Sequence, residues 1–205
     1  MIFPYNGNGL EALDCLEGTY EFLGFVDDTP EKIGTNCYGH RVYGREAFTN
    51  FPEALVLAVP GSADSYQTRK EVINGLNITN ERYAKVIHKC ARISPLANLG
   101  HNVLIMAGVV ITSNAVVGSH TCLLPNTVIH HDVKIADWNL IGCGVIVAGG
   151  TVIEENCYIG SGTTIKNGLR IGAGSLIGLG SNVVKNVEEG LIVAGNPARE
   201  LIKKL

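Results

Sequence analysis

From Ile93 onward an aliphatic side chain returns every six residues. Ile93, Leu99, Ile105, Ile111 and Val117 open the series, Ile165, Ile171, Ile177 and Val183 close it, and every member between is Ile, Leu or Val. No residue is inserted or lost along the way. Four residues after each aliphatic stands a second, usually compact side chain, as at Val109, Ala115, Thr121, Thr127 and Val133, with Leu169 the largest departure. A period of six fits neither a helix of 3.6 residues per turn nor the two-residue alternation of an ordinary strand. It fits a three-sided coil of short strands, in which each face sends one aliphatic inward and stacked coils complete one another's hydrogen bonds. Three sixes per coil put Ile93, Ile111, Ile129, Val147, Ile165 and Val183 into one column. The residue after the aliphatic is often glycine (Gly100, Gly118, Gly142, Gly160, Gly172, Gly178), read as a turn position with unusual backbone angles.

Residues 1–85 lack this repeat. Their order reads strand (IFPY), loop (NGNG), helix (LEALDCLE), strand (EFLGFVDD), strand (ALVLAV), helix (SADSYQTRKEVINGL) and a last strand (YAKVIH). The alternation predicts a small parallel α/β unit of Rossmann-like order. Asn6, Gly7, Asn8 and Gly9 follow the first strand and open a helix. Free N–H groups there either face a phosphate or simply turn the chain. Asp27 and Asp28 end the second strand, about twenty residues on, where an acid reaches a ribose or starts a turn before Thr29-Pro30. Gly61 and Ser62 fall on the same sheet edge. Together these loops make residues 1–85 a candidate nucleotide-sugar site.

Composition narrows the classes. In 205 residues, 46% apolar and 17% charged side chains supply a sizeable core and argue against disorder. A net charge of -3 without a basic block argues against nucleic acid as a partner. The start MIFPYNGNG does not read as a signal peptide, and no apolar run reaches the ~18 residues of a membrane helix, so no membrane partner is expected. Six cysteines without a CxxC pair suggest buried reduced thiols and a cytoplasmic protein. His101 and His120 fall on one face, one coil apart, but a zinc hydratase site needs three converging histidines and no third presents itself. No metal is therefore expected. A solenoid that only binds or regulates is a further class, and it would not require the pair His131-Asp132.

Four stretches together resemble one family: GFVDD, IHKCARISPLA leading into the coils, VIHHD, and the ending IVAGNPARELI. They resemble the NeuD/PglD-type sugar acetyltransferases, hexapeptide-repeat acyltransferases with an N-terminal nucleotide-sugar-binding domain, and the resemblance spans nearly the whole chain. It implies a left-handed parallel β-helix over 93–188, following the domain at 1–85, with 189–205 as a tail packing on the β-helix. It implies a homotrimer with acetyl-CoA in the groove between adjacent prisms, so that active sites lie between subunits. In that setting His131 is the general base and Asp132 its partner, while His130 in the preceding slot contacts the sugar. Gly149 supplies an N–H to the oxyanion, and the backbone at Ser161, Gly162 and Leu179 lines the cofactor groove. His131, two residues after Ile129, is expected on the strand and pointing outward. Two positions depart from the family pattern: the first loop reads YNGNG rather than richer in glycine, and Leu140 stands where many members carry a second histidine. Trp138, the only tryptophan, is expected at a subunit interface. The acceptor implied is the amino group of a nucleotide-linked 4-amino-4,6-dideoxy sugar, for glycan or surface-polysaccharide synthesis. The alternative is O-acetylation of sialic acid or a related sugar, since some O-acetylating members also lack the second histidine.

Overall fold

A computed structural model describes residues 1–201. The N-terminal part builds a sheet in the order Asn36–Cys37, His40–Tyr43, Phe25–Val26, Ile2–Phe3, Leu57–Ala58. Neighbours are parallel except for the first pair, an antiparallel hairpin. Ile2, Phe3, Phe25, Val26, Leu57 and Ala58 are all buried, because a parallel sheet covered on both faces needs apolar residues on both. Gly7–Glu11 is helical and runs into a 3₁₀ turn at Ala12–Cys15. It starts ahead of the expected Leu10 because Asn6 caps it, accepting from the Gly9 N–H at 2.8 Å. The hairpin was not expected. It closes on Tyr38 and Gly39, with φ 49° and 83°, and Tyr38 is not a residue that announces such a turn.

Three sheets of short strands form the rest, with six, five and eight members, parallel throughout except for the last strand of the eight. Ile111 pairs with Ile93 and Ile129, Ile129 with Val147, Val147 with Ile165, and Ile165 with Val183. The column read from the six-residue period is therefore real. Every repeat aliphatic from Ile105 to Val183 is at most 2% exposed. Ile93 and Leu99 are only half-buried, since no coil lies beneath the first one.

The glycines after the aliphatics have a different cause from the one expected. Gly100 is not left-handed. A Cβ there would lie 2.5 Å from the Ser119 nitrogen in the next coil, so the close approach of coils excludes a side chain. The left-handed turns come two residues later, at Asn102, Gly108, Asn114, His120, Asn126, Asp132, Trp138 and onward in sixes to Gly180. Asn and Asp tolerate that conformation, whereas a bulky residue such as Trp138 is strained in it.

The eight-stranded face packs on the N-terminal sheet. Leu104, Cys122 and Leu140 are at most 4% exposed there, while Val116, Ile146 and Val152 at equivalent positions on the other two faces are 36% exposed or more. Leu104, Met106, Cys122 and Leu140 share one core with Ile2, Phe25, Leu57, Val59 and Tyr66. Lys85–Ile87, expected to close the α/β unit, pairs with Val103–Ile105 of the solenoid instead. Tyr83, just before it, bridges Val56 in the N-terminal part. At the far end Ile192–Ala194 adds parallel to Leu176–Ile177, and Arg199–Glu200 returns antiparallel. Residues 202–205 of the expected 189–205 tail lie outside the described residues. No described helix is long and apolar enough to cross a membrane.

Candidate active site

His131 stands in the turn after the strand Val128–Ile129, not on the strand as expected. Its side chain is 64% exposed at a corner of the prism. Asp132 takes the left-handed position of that turn, φ 60°, which brings its carboxylate back toward the preceding ring. His131 Nδ1 lies 2.8 Å from Asp132 Oδ2. That contact places the proton of the neutral ring on Nδ1 and leaves Nε2 as the free base. The His131 bond, followed by one from Asn114, holds the Asp132 carboxyl below its ordinary range, so it is ionised at neutral pH.

The ring has a shaped seat. A Cβ on Gly149, one coil further on, would lie 2.6 Å from both Cε1 and Nε2 of His131. Gly149 has an ordinary φ, so alanine there strains only the ring. Gly149→Ala is expected to displace the imidazole from Asp132 and lower turnover roughly tenfold to a hundredfold, with the melting temperature unchanged because an exposed ring moves freely. Wild-type turnover in that variant would show that the seat is irrelevant.

At this position of the repeat, three N–H groups find a side chain on the next coil. His101 donates to Ser119 Oγ, Ser119 to Asp137 Oδ1, and Cys143 to Ser161 Oγ. Among the described residues, the N–H groups of Gly149, Ser161 and Leu179 take no protein partner. Gly162 is left-handed with no atom closer than 3.8 Å to an added Cβ, and Leu179 is 72% exposed. This edge presents unpaired backbone donors beside an exposed apolar side chain.

The N-terminal loops converge only in part. Asn8, Gly61 and Ser62 line one cavity of ≈ 190 Å³ with Leu140, Gly142 and Tyr158 of the solenoid. Leu140 closes it from the solenoid side and gives the cavity an apolar wall. Asn6 is engaged as a cap and donates to Val59 O. Gly7 has open space around its Cα. Asp27 is 3% exposed, and its oxygens accept from the N–H groups of Tyr5 and Thr29 and pair with Lys32. Asp28 is held by both Nε and Nη2 of Arg45. His130 is exposed, its ring 6.3 Å from that of His131.

The chain matches no family model. Solved structures do match along its whole length. One is the acetyltransferase domain of PglB from Neisseria gonorrhoeae in complex with acetyl coenzyme A: 25% identity, TM-score 0.84, 98% of this chain and 97% of that one. Another is WeeI from Acinetobacter baumannii: 26% identity, TM-score 0.86, 98% of both chains. A third is a mutant perosamine N-acetyltransferase from Caulobacter crescentus in complex with CoA and GDP-perosamine: 21% identity, TM-score 0.87, 98% of this chain and 96% of that one. This is the fold of the hexapeptide-repeat sugar acetyltransferases. The solenoid accordingly matches the left-handed parallel β-helix of that family.

Against that fold, the other histidine pair has a structural role. His120 Nε2 lies 3.2 Å from His101 Nε2, and His120 Nδ1 lies 3.0 Å from Asn102 Nδ2. Within the chain Trp138 stacks on His120, centroids 5.4 Å apart, and Lys70 Nζ lies 4.5 Å from the Trp138 ring centroid. Arg69, 1% exposed, donates to the carbonyls of Pro60 and His120. The described residues hold no group of three side chains suited to a metal. Burial, then the neighbouring His101 and Arg69, push the His120 imidazole down to about 4. In the unfolded chain it titrates near ~6.5. The folded state therefore refuses a proton that the unfolded state accepts, and stability present above ~6.5 is lost as pH falls toward 4. Protonation would also set a ring N–H against the Asn102 amide. His120→Asn, which tolerates the left-handed turn, is expected to flatten the fall in urea midpoint between pH 6.5 and 4. An unchanged slope would assign the acid sensitivity elsewhere.

Proposed function

We propose that the protein is an acetyl-CoA-dependent N-acetyltransferase acting on the amino group of a nucleotide-linked 4-amino-4,6-dideoxy sugar. The observation that carries this reading is the His131–Asp132 pair seated over Gly149, on a fold shared with an acetyltransferase domain bound to acetyl coenzyme A. Acetyl-CoA supplies the thioester. The sugar amine attacks the thioester carbonyl and forms the new C–N bond; the tetrahedral centre then collapses, the C–S bond breaks, and CoA leaves as a thiolate that is protonated to the thiol. His131 Nε2 takes the amine proton, and Asp132 holds the imidazolium that results. The Gly149 N–H faces the developing oxyanion. Ser161, Gly162 and Leu179 hold the amide-bearing arm of the cofactor.

In this reading residues 1–85 form a Rossmann-like nucleotide-sugar domain, 93–188 the catalytic β-helix, and 189–205 its C-terminal tail. The loops at Asn6–Gly9, Asp28 and Gly61–Ser62 face the nucleotide sugar, and His130 faces the sugar beside the base. Lys32 and the loop N–H groups engage Asp27, which shapes the loop rather than reaching for ribose. The active unit is a homotrimer. The exposed apolar side chains Val116, Ile146 and Val152 on the two uncovered faces support it. A monomer by light scattering would overturn the trimer. The need for acetyl-CoA and the unpaired cysteines fit a reducing cytoplasm.

The test is thiol release from acetyl-CoA against UDP-, dTDP- and GDP-linked 4-amino sugars, with free sialic acid included. Release with one amino sugar is the expected result. Release with sialic acid alone would move the assignment to O-acetylation, and release with none would set the reading aside.

A further inference from the structure

We infer that Asn114 is a positioning residue for His131, acting through Asp132. The inference rests on the reading of His131 as the base. Asn114 occupies the left-handed turn position one coil below Asp132, with φ 61° against 60°. Its Nδ2 donates to Asp132 Oδ1 at 3.1 Å, while Asp132 Oδ2 faces His131 Nδ1 at 2.8 Å. Each carboxylate oxygen therefore has its own partner, and the two bonds pull on opposite sides of the group. The backbone is anchored as well: the Asp132 N–H donates to Ser113 O, and the Gly150 N–H to His131 O, both at 3.0 Å. What remains free to turn is the carboxylate, and the Asn114 amide removes that freedom.

The turn itself does not need the amide. The same repeat position is glycine at Gly108, Gly144 and Gly150, all left-handed. An amide donor to an ionised oxygen also keeps Asp132 charged, consistent with its lowered pKa. The titratable neighbours of His131 are Asp132 on its own turn and His130, 6.3 Å away. Gly149 and Gly150 on the coil above and Ser113 and Asn114 on the coil below carry no charge.

Two substitutions leave the turn intact. Asn114→Gly removes the amide, and Asn114→Asp replaces it with a second carboxylate. NMR titration of the His131 Cε1–H, assigned by its disappearance in His131→Ala, reads the effect without an acceptor. Loosening Asp132 weakens its hold on the imidazolium, so Asn114→Gly is expected to lower the His131 midpoint. The added negative charge in Asn114→Asp is expected to raise it, by up to about one unit. With the acceptor found in the thiol-release panel, kcat in Asn114→Gly should fall about tenfold at unchanged KM, with an unchanged melting temperature. Unmoved midpoints in both variants, or a wild-type kcat in Asn114→Gly beside an inactive His131→Ala, would overturn the positioning role. Opposite midpoint shifts with full turnover in His131→Ala would overturn the base reading and leave the relay as geometry alone.

Discussion

His131→Ala is expected to lose turnover by about 10²–10⁴-fold, the range that a positioned general base supplies, while melting at the wild-type temperature. The structural half follows from exposure. A side chain 64% exposed on a corner of the prism, bonded only to the neighbouring Asp132, carries little packing. The chemical half follows from the ring's orientation. Asp132 engages Nδ1, and Nε2 lies over Gly149, beside an N–H that takes no protein partner. An attacking amine must release a proton where the ring can take it, and no other described imidazole offers a free nitrogen on this turn except that of His130. Equal loss in His130→Ala would make the two rings a joint device, and no loss in His131→Ala would remove it from the mechanism. KM for acetyl-CoA should stay within about twofold, since the base contributes to the transition state and not to holding the cofactor.

Asn102→Gly is expected to be the most destabilising of these substitutions. Asn102 is fully buried and left-handed, φ 50°. Its Oδ1 accepts from the Ala58 N–H at 2.7 Å, and its Nδ2 donates to the Ala58 carbonyl at 3.0 Å. One side chain thus stands in for a neighbouring strand at the edge of the N-terminal sheet. Glycine keeps the turn and removes the amide, leaving both backbone groups of a fully buried residue unpaired. At about 1–3 kcal/mol for each buried group, the loss comes to roughly 2–6 kcal/mol, a fall in melting temperature of roughly 4–24 °C for a chain of this size. Calorimetry checks it. A shift under about 2 °C would mean that the junction is satisfied by other means, and the strand-mimic account would fail.

The two predictions differ in how far the chain announces them. His131 and Asp132 belong to a short adjacent motif, VIHHD, embedded in an unbroken repeat, so type, spacing and family resemblance all meet in five residues. Asn102 carries no such signal. It is one of several asparagines at a repeating turn position, and only docking of Ala58 onto that coil gives its amide a task. The same holds for Arg69. Its segment reads as a helix, yet nothing in the helix indicates that the guanidinium is buried against the carbonyls of Pro60 and His120. Asn114 lies between these cases. Its distance of one coil from Asp132 is legible from the period, but its hydrogen bond to that carboxylate is not.

The period of six determined the coil, the inward columns and the coil-to-coil register, because each aliphatic has only one interior to enter and a single insertion would turn it outward. It also assigned the glycines after the aliphatics to the wrong cause, since a sequence does not show how closely one coil approaches the next. Tertiary structure alone decided which face of the prism the N-terminal sheet covers, that Leu140 walls the cavity beside Asn8 and Gly61, and that His120 is held neutral beside Arg69. These depend on contacts between residues far apart in the chain, where shape and hydrogen-bond geometry select the partner and no local pattern encodes it.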